Sequence, residues 1–239
     1  MQKLLSGIHQ FQRTEFRRKA HLFKRLAEGQ EPTALFFTCS DSRVNPNLVT
    51  QSEPGDIFVV RNAGNIIPPA PEMGGEIATI EFAVKSLKIK DIIICGHSDC
   101  GAMKGVLNPS ALGNDLKALK VWLSHAKRTG EIMKTRYTHL QGKELLSATV
   151  GENVLVQVEN LKTHSFIQKA LDAGDLAIHG WVYKFETGEV FYYDTEDGQY
   201  HPLTLQNGLC PIYPVRTHHG ENKSTGGHLA LESMMRAIS

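Results

Sequence analysis

The sequence lacks any strong excess of charge. Its 239 residues carry 26 Lys and Arg against 25 Asp and Glu, which leaves a formal net charge of +1. A near-neutral chain is not drawn as a whole to phosphate backbones or to anionic lipid. We therefore expect neither nucleic acid nor a membrane among its partners.

Long apolar runs are also missing. Runs such as 34–37 and 92–95 are far shorter than the roughly 18 residues that span a bilayer. Polar residues interrupt residues 1–9 too soon for the apolar region of a signal peptide. The sequence therefore predicts a soluble, unexported protein of the cytoplasm.

Cysteine is scarce, because only four residues of this type occur in the whole chain. That density is too low for a secreted scaffold held together by disulfides. In a reducing compartment, the cysteines that matter usually bind metal or take part in catalysis. The four are Cys39, Cys95, Cys100 and Cys210.

Three short apolar runs are typical of strands buried on both faces, as in a parallel sheet. They cover residues 34–38, 56–60 and 91–95. A segment with helical spacing, 75–88, separates the second run from the third, and this order predicts a right-handed crossover. The predicted fold class is α/β, with a mostly parallel central sheet flanked by helices.

The remaining segments predict how the chain is divided. Apolar positions at helical spacing predict an N-terminal helical arm of one or two amphipathic helices, packed on its own domain or on a partner subunit. A C-terminal antiparallel hairpin is predicted after three more helices, and a composition rich in Gly, Pro and His predicts a flexible end. The predicted helices are 114–127, 131–140 and 143–170, and the hairpin strands are 176–185 and 189–193. The predicted parts are the arm, 1–30, the α/β domain, 31–206, and the C-terminal extension, 207–239.

Two clusters of reactive side chains follow predicted parallel strands. Cys39-Ser40-Asp41-Ser42-Arg43 comes after the first strand, and Gly96-His97-Ser98-Asp99-Cys100-Gly101 comes after the third. Ligands bind at the carboxyl edge of open α/β sheets, where neighbouring strand ends lie about 5 Å apart. The two loops can therefore meet.

Cys39, His97 and Cys100 are suited to zinc, which accepts thiolate and imidazole ligands. One such residue alone is more often a buried hydrophobe or a structural histidine, but three at strand ends favour a metal site. Three protein ligands leave one position open, so the pattern favours one catalytic zinc ion per chain. Phosphate-loop, zinc-deaminase and nucleophile-elbow motifs each lack residues that they require.

The two loops together resemble the β-class carbonic anhydrases, of the plant type and similar to cyanobacterial carboxysomal members. The resemblance covers about residues 1–195 and includes Glu53-Pro54-Gly55-Asp56, Val60-Arg61-Asn62-Ala63-Gly64-Asn65 and Glu152-Asn153-Val154. It implies that the α/β domain, 31–206, is a catalytic domain that binds zinc through Cys39, His97 and Cys100. The implied activity is reversible hydration of carbon dioxide to bicarbonate and a proton through zinc-bound hydroxide.

The resemblance also implies roles for residues around the metal. Asp41 and Arg43 match the carboxylate–guanidinium dyad of the family, and Gln30 matches a glutamine that contacts substrate. The implied apolar pocket consists of Phe58, Ala63 and Phe82, and the Gly101 N–H would orient bicarbonate. Members of the family often carry Val in place of Ala63 and Tyr in place of Phe82.

Family pockets lie at a dimer interface, so the resemblance implies a homodimer or a larger homo-oligomer. A carboxysome shell or scaffold protein is a further candidate partner, with the carboxysome as the matching location. Two alternatives stay open: a hydrolase of the same fold that acts on carbon disulfide or carbonyl sulfide, and a catalytically silent zinc-containing assembly component. The silent component is disfavoured because structural zinc needs none of Asp41, Arg43 and Gln30.

Overall fold

The computed structural model describes residues 1–205, and its centre is a six-stranded sheet. The strands are β1 (Ala34–Cys39), β2 (Ile57–Asn62), β3 (Asp91–His97), β4 (Ala177–Tyr183), β5 (Val190–Asp194) and β6 (Gln199–Pro202). Their order in the sheet is β2-β1-β3-β4-β5-β6, and the first four run parallel while β5 and β6 pair antiparallel. The predicted mostly parallel α/β sheet with its C-terminal antiparallel strands is confirmed.

Helices flank this sheet and connect its strands. The α-helices are α1 (Gln2–Arg13), α2 (Glu15–Arg18), α3 (Ala20–Leu26), α4 (Pro46–Thr50), α5 (Gly75–Lys85), α6 (Gly101–Leu107), α7 (Lys117–Leu123), α8 (Lys127–Arg136), α9 (Gly142–Lys162) and α10 (Ser165–Ala173). Short 3-10 turns cover Pro109–Ala111 and Ser124–Ala126.

The long helix α9 packs tightly against β3, at the strand end that carries the second reactive loop. A Cβ atom placed on Gly96 would lie 2.9 Å from methyl groups of both Val150 and Val154 on α9. Only glycine allows this approach. Gly96 therefore allows α9 to pack directly against the end of β3 that carries His97.

One predicted helix, 143–170, is wrong as a single element. The chain breaks between Lys162 and Ser165, because His164 takes an extended conformation with φ −80° and ψ 124°. The buried His164 ring lies with Nε2 2.9 Å from the carbonyl oxygen of Pro68. This contact holds the break and separates α9 from α10.

The third antiparallel strand, β6, was not predicted, because its sequence offers a single strongly apolar position. That residue, Tyr200, is fully buried, and its hydroxyl donates to the carbonyl of Gly151 at 2.9 Å. Gly198 makes the preceding turn with φ +72°, a value that suits glycine.

The N-terminal helices α1, α2 and α3 contain no buried residue. The rings of Phe11, Phe16 and Phe23 pack on one another with centroids 5.1–6.1 Å apart. None of the helices within residues 1–205 has the length and hydropathy needed to cross a bilayer. The division into arm, catalytic domain and extension stays a prediction, and the extension, 207–239, lies outside the described residues.

Candidate metal centre

Cys39, His97 and Cys100 come together at the carboxyl edge of the sheet. Cys39 ends β1, His97 ends the neighbouring β3, and Cys100 directly precedes α6. All three are buried, and their ligand atoms lie within 4.8 Å of one another. A single four-coordinate ion can span this spacing.

The His97 ring is oriented to offer its Nε2 atom. Its Nδ1 lies 2.8 Å from the carbonyl oxygen of Ser98, which can only accept, so Nδ1 carries the proton. Nε2 is buried and has no hydrogen-bond partner among the described residues. Because buried ring nitrogens are normally satisfied, this free lone pair beside two sulfur atoms fits a zinc ligand.

The sulfur atoms of Cys39 and Cys100 share one proton through a hydrogen bond. A hydrogen bond from the Cys100 thiol lowers the pKa of Cys39 to about 4, with further help from the Gly64 N–H. The same contact, together with burial, raises the pKa of Cys100 above its ordinary value. Two adjacent thiolates need a cation between them, so this donor set fits a divalent ion.

Asp41 lies beside the centre and is held by Arg43. Arg43 donates from Nε to Asp41 Oδ1 at 2.9 Å and from Nη2 to Asp41 Oδ2 at 2.8 Å. These bonds hold the pKa of Asp41 well below its usual range, and Asp41 Oδ2 lies 4.0 Å from His97 Nε2. The side chain of Arg61 fixes the loop by donating to the carbonyls of Cys39 and Asp41 at 2.9 and 2.7 Å.

Arg43 is also held from its other side. Its Nη1 donates to Asp99 Oδ2 at 3.1 Å, and its guanidinium carbon lies 4.2 Å from the centre of the Phe185 ring. Lys104 pairs with the same Asp99 carboxylate. Sequence reasoning gave Phe185 no role, because it comes from the β4–β5 turn, far along the chain and without any motif of its own.

Ala63 and Gly101 lie at the metal end of the sheet. Ala63 follows Asn62, which pairs with Cys39 in the register of β1 and β2. The carbonyl of Ala63 accepts a hydrogen bond from Trp122 Nε1 at 2.8 Å. Gly101 begins α6 directly after Cys100.

Gln30, Phe58 and Phe82 lie elsewhere in the same chain. Phe58 pairs with Leu35, four residues back along β1 from Cys39, or about 13 Å. The Phe82 ring packs on Phe58 with centroids 6.2 Å apart. Gln30 precedes β1 and lines a cleft with Leu26 and Gly55 at the opposite end of the strand. The chain therefore does not bring these three residues to its own metal centre.

A parallel sheet that presents two thiols, an imidazole and a carboxylate–guanidinium pair at one edge defines an α/β zinc enzyme. The sequence model of the family described as carbonic anhydrase matches residues 34–190. The chain belongs to the carbonic anhydrase family, in its β class.

Several known carbonic anhydrases are similar to this chain. A carbonic anhydrase from Synechocystis sp. is 49% identical over 195 residues, which cover 81% of this chain and 71% of that protein. The structure of the β-carbonic anhydrase CcaA gives a TM-score of 0.84 at 46% identity and covers 87% of this chain and 95% of that one. A structure from a study of two tetrameric β-carbonic anhydrases of Sordaria macrospora gives 0.73 at 30% identity and covers 80% and 95%.

Proposed function

We propose that this chain catalyses the reversible hydration of carbon dioxide to bicarbonate and a proton, with Cys39, His97 and Cys100 holding one zinc ion. The buried, unpartnered Nε2 of His97 beside two thiols is the observation that carries this proposal. Bound there, zinc would acidify a water molecule and so supply a nucleophile near neutral pH.

In this proposal Asp41 accepts a hydrogen bond from the attacking water and orients it toward carbon dioxide. Arg43 keeps the carboxylate ionised, since it lowers the pKa of Asp41, and holds both of its oxygens. The Gly101 N–H and the small side chain of Ala63 then border the space in which bicarbonate forms.

Stopped-flow hydration of carbon dioxide by the zinc-loaded full chain tests this function. We expect saturable turnover of carbon dioxide that exceeds turnover of carbonyl sulfide and carbon disulfide in parallel assays. Stoichiometric zinc without turnover would support the silent assembly component instead. Faster hydrolysis of either sulfur compound would support the same-fold hydrolase.

We infer that a second copy of the chain completes the substrate pocket. Gln30, Phe58 and Phe82 share the end of the sheet opposite to the chain's own metal centre. The Phe82 ring is 47% exposed, although one side of it packs on Phe58. A homo-oligomer in which this end approaches the partner's metal centre would supply all three, and the tetrameric Sordaria proteins are consistent with it.

Two apolar features of the chain support this assembly. The stripe of α1 formed by Leu4, Ile8 and Phe11 is 43–64% exposed. Trp181 belongs to a small cluster on one face of the sheet that contains strand residues alone. Its buried Nε1 has no hydrogen-bond partner within residues 1–205. The other members are Ala34, Phe36, Ile57, Ile93, Cys95 and Tyr183. Docking of a partner's N-terminal helix against this sheet face would bury the α1 stripe and supply an acceptor for Trp181.

We propose a cytoplasmic location, with attachment to a carboxysome shell or scaffold protein in hosts that build one. The resemblance to cyanobacterial carboxysomal members carries this choice, and a carbonic anhydrase from Synechocystis sp. is 49% identical to this chain. Imaging of the tagged full chain in such a host tests it, since attachment predicts discrete foci and a free enzyme predicts a diffuse signal.

A further inference from the structure

Residues 63–67 follow β2 beside the metal centre, and buried amide side chains of α9 hold this loop. Asn153 Nδ2 donates to the carbonyl of Gly64 at 3.0 Å, and Asn160 Nδ2 donates to the carbonyl of Ile67 at 3.0 Å. Gln157 Oε1 accepts from the N–H of Ile67 at 2.8 Å. Asn153 thereby connects two sequence motifs, at 60–65 and 152–154.

Gly64 is the point at which this loop meets the metal centre. Its N–H donates to Cys39 Sγ at 3.3 Å while its carbonyl is held by Asn153. Its φ is +84°, and an added Cβ would lie 2.8 Å from Cβ of Ala102 and 3.1 Å from Cε of Met103 on α6. The backbone of Gly64 is therefore confined between α9, α6 and the Cys39 sulfur.

The orientation of the Asn153 amide is fixed by its other contacts. Its Oδ1 accepts from Gln157 Nε2 at 2.9 Å and from Thr129 Oγ1 at 3.2 Å. With the oxygen satisfied by two donors, the nitrogen must face the Gly64 carbonyl. Asn153 is 1% exposed, so water does not compete for these bonds.

We propose that Asn153 is a positioning residue for the reaction: it holds Gly64 so that the Gly64 N–H donates to the Cys39 sulfur and withdraws charge from it. The inference rests on the proposed role of Cys39 as a zinc ligand. Two thiolates formally cancel the charge of a divalent ion, so a hydrogen bond to one of them preserves part of the positive charge for the reacting groups. Hydrogen bonds to ligating sulfur are known to tune metal sites in this way.

Cobalt substitution of the full chain tests the proposal, because sulfur-to-cobalt charge-transfer absorption reports the charge on the sulfur. Asn153→Asp places a carboxylate oxygen against the Gly64 carbonyl, and Thr129→Val removes a donor that orients Asn153. We expect both variants to move the band to longer wavelength and Asn153→Asp to lower kcat/KM about 10-fold or more. Thr129→Ser restores the hydroxyl and should restore the wild-type band.

Thr149→Val is the matched control. Thr149 is as fully buried as Thr129, but its hydroxyl donates to Leu145 on its own helix and is not part of the contacts to the loop. We expect this variant to keep the wild-type band even where its melting temperature falls. If Asn153→Asp does not fold, the proposal is tested by comparing the charge-transfer bands of Thr129→Val and Thr129→Ser.

An unchanged band in both cobalt-loaded Asn153→Asp and Thr129→Val, or an equal shift in Thr149→Val, would overturn the proposal. A wild-type protein that shows no thiolate-to-cobalt band would instead contradict the zinc ligands themselves. The two failures are therefore distinguishable.

Discussion

Arg43 and Asp41 form a two-pronged ion pair at the edge of the metal centre, with bonds of 2.9 and 2.8 Å to the two carboxylate oxygens. The pair leaves Asp41 ionised, with its Oδ2 atom 4.0 Å from His97 Nε2. In the proposed reaction the carboxylate orients the attacking water, so its charge is needed in the transition state.

Asp41→Asn should lower kcat/KM of carbon dioxide hydration at least about 100-fold, because an amide cannot accept in the same way or hold a proton. Zinc content should stay at the wild-type level, since Asp41 is not among the proposed ligands. Asp99→Asn is the control: it weakens one exposed contact of Arg43 but leaves both bonds to Asp41, so we expect a much smaller loss. Equal losses in the two variants would contradict the role given to Asp41.

The ion pair of Asp41 and Arg43 should also affect how stability depends on pH below neutrality. Arg43 lowers the pKa of Asp41 in the folded chain, so the carboxylate stabilises the fold above its ordinary pKa of about 4. This contribution is lost as the pH falls through the lowered pKa. Denaturant titrations of wild type and Asp41→Asn should give a constant difference in unfolding free energy above about pH 5 that shrinks below about pH 4. A difference in unfolding free energy that is independent of pH would contradict the lowered pKa of Asp41.

The cysteines of the chain should react very differently with alkylating agents. Burial raises the pKa of Cys95 to about 12, whereas the pKa of Cys39 is lowered to about 4 by Cys100. After chelation of zinc at pH 8, we expect iodoacetamide to modify Cys39 and to spare Cys95, as read by peptide mass spectrometry. Denaturant should expose both residues. Modification of Cys95 at the rate of Cys39 under native conditions would contradict this assignment.

Subunit mixing tests whether Phe82 serves the metal centre of a second copy. Phe82→Ala and Cys39→Ser should each reduce activity on their own. After subunit exchange, a mixed dimer would contain one complete site, so activity should recover to about a quarter of the wild-type value. If Phe82 serves its own chain, mixed dimers contain no complete site and mixing restores nothing.

Much of the fold and the core of the site could be predicted from the sequence. The strands were predictable because buried parallel strands are continuous apolar runs. Cys39 and His97 lie close together because they end neighbouring strands. Gly64 stands inside the motif at 60–65. Its bond to Cys39 depends on a φ of +84°, which sequence does not display.

Other features depend on contacts between distant residues. The Asn153 side chain reaches Gly64 across 89 residues, and Phe185 reaches Arg43 through the β4–β5 turn. The helix break at His164 follows from the carbonyl of Pro68, which no local pattern marks. Phe58 was placed with the pocket by resemblance, but only the strand register shows that it lies far from its own chain's metal centre.

Zinc content tests the central claim most directly, since everything depends on His97 and two thiols binding one ion. We expect about one zinc per chain in the wild type and in His179→Ala, whose imidazole is also buried but bonded to Asp91 at 2.9 Å outside the site. We expect His97→Ala to bind almost none under the same conditions. Full zinc in folded His97→Ala, or loss of zinc from His179→Ala as well, would contradict the account.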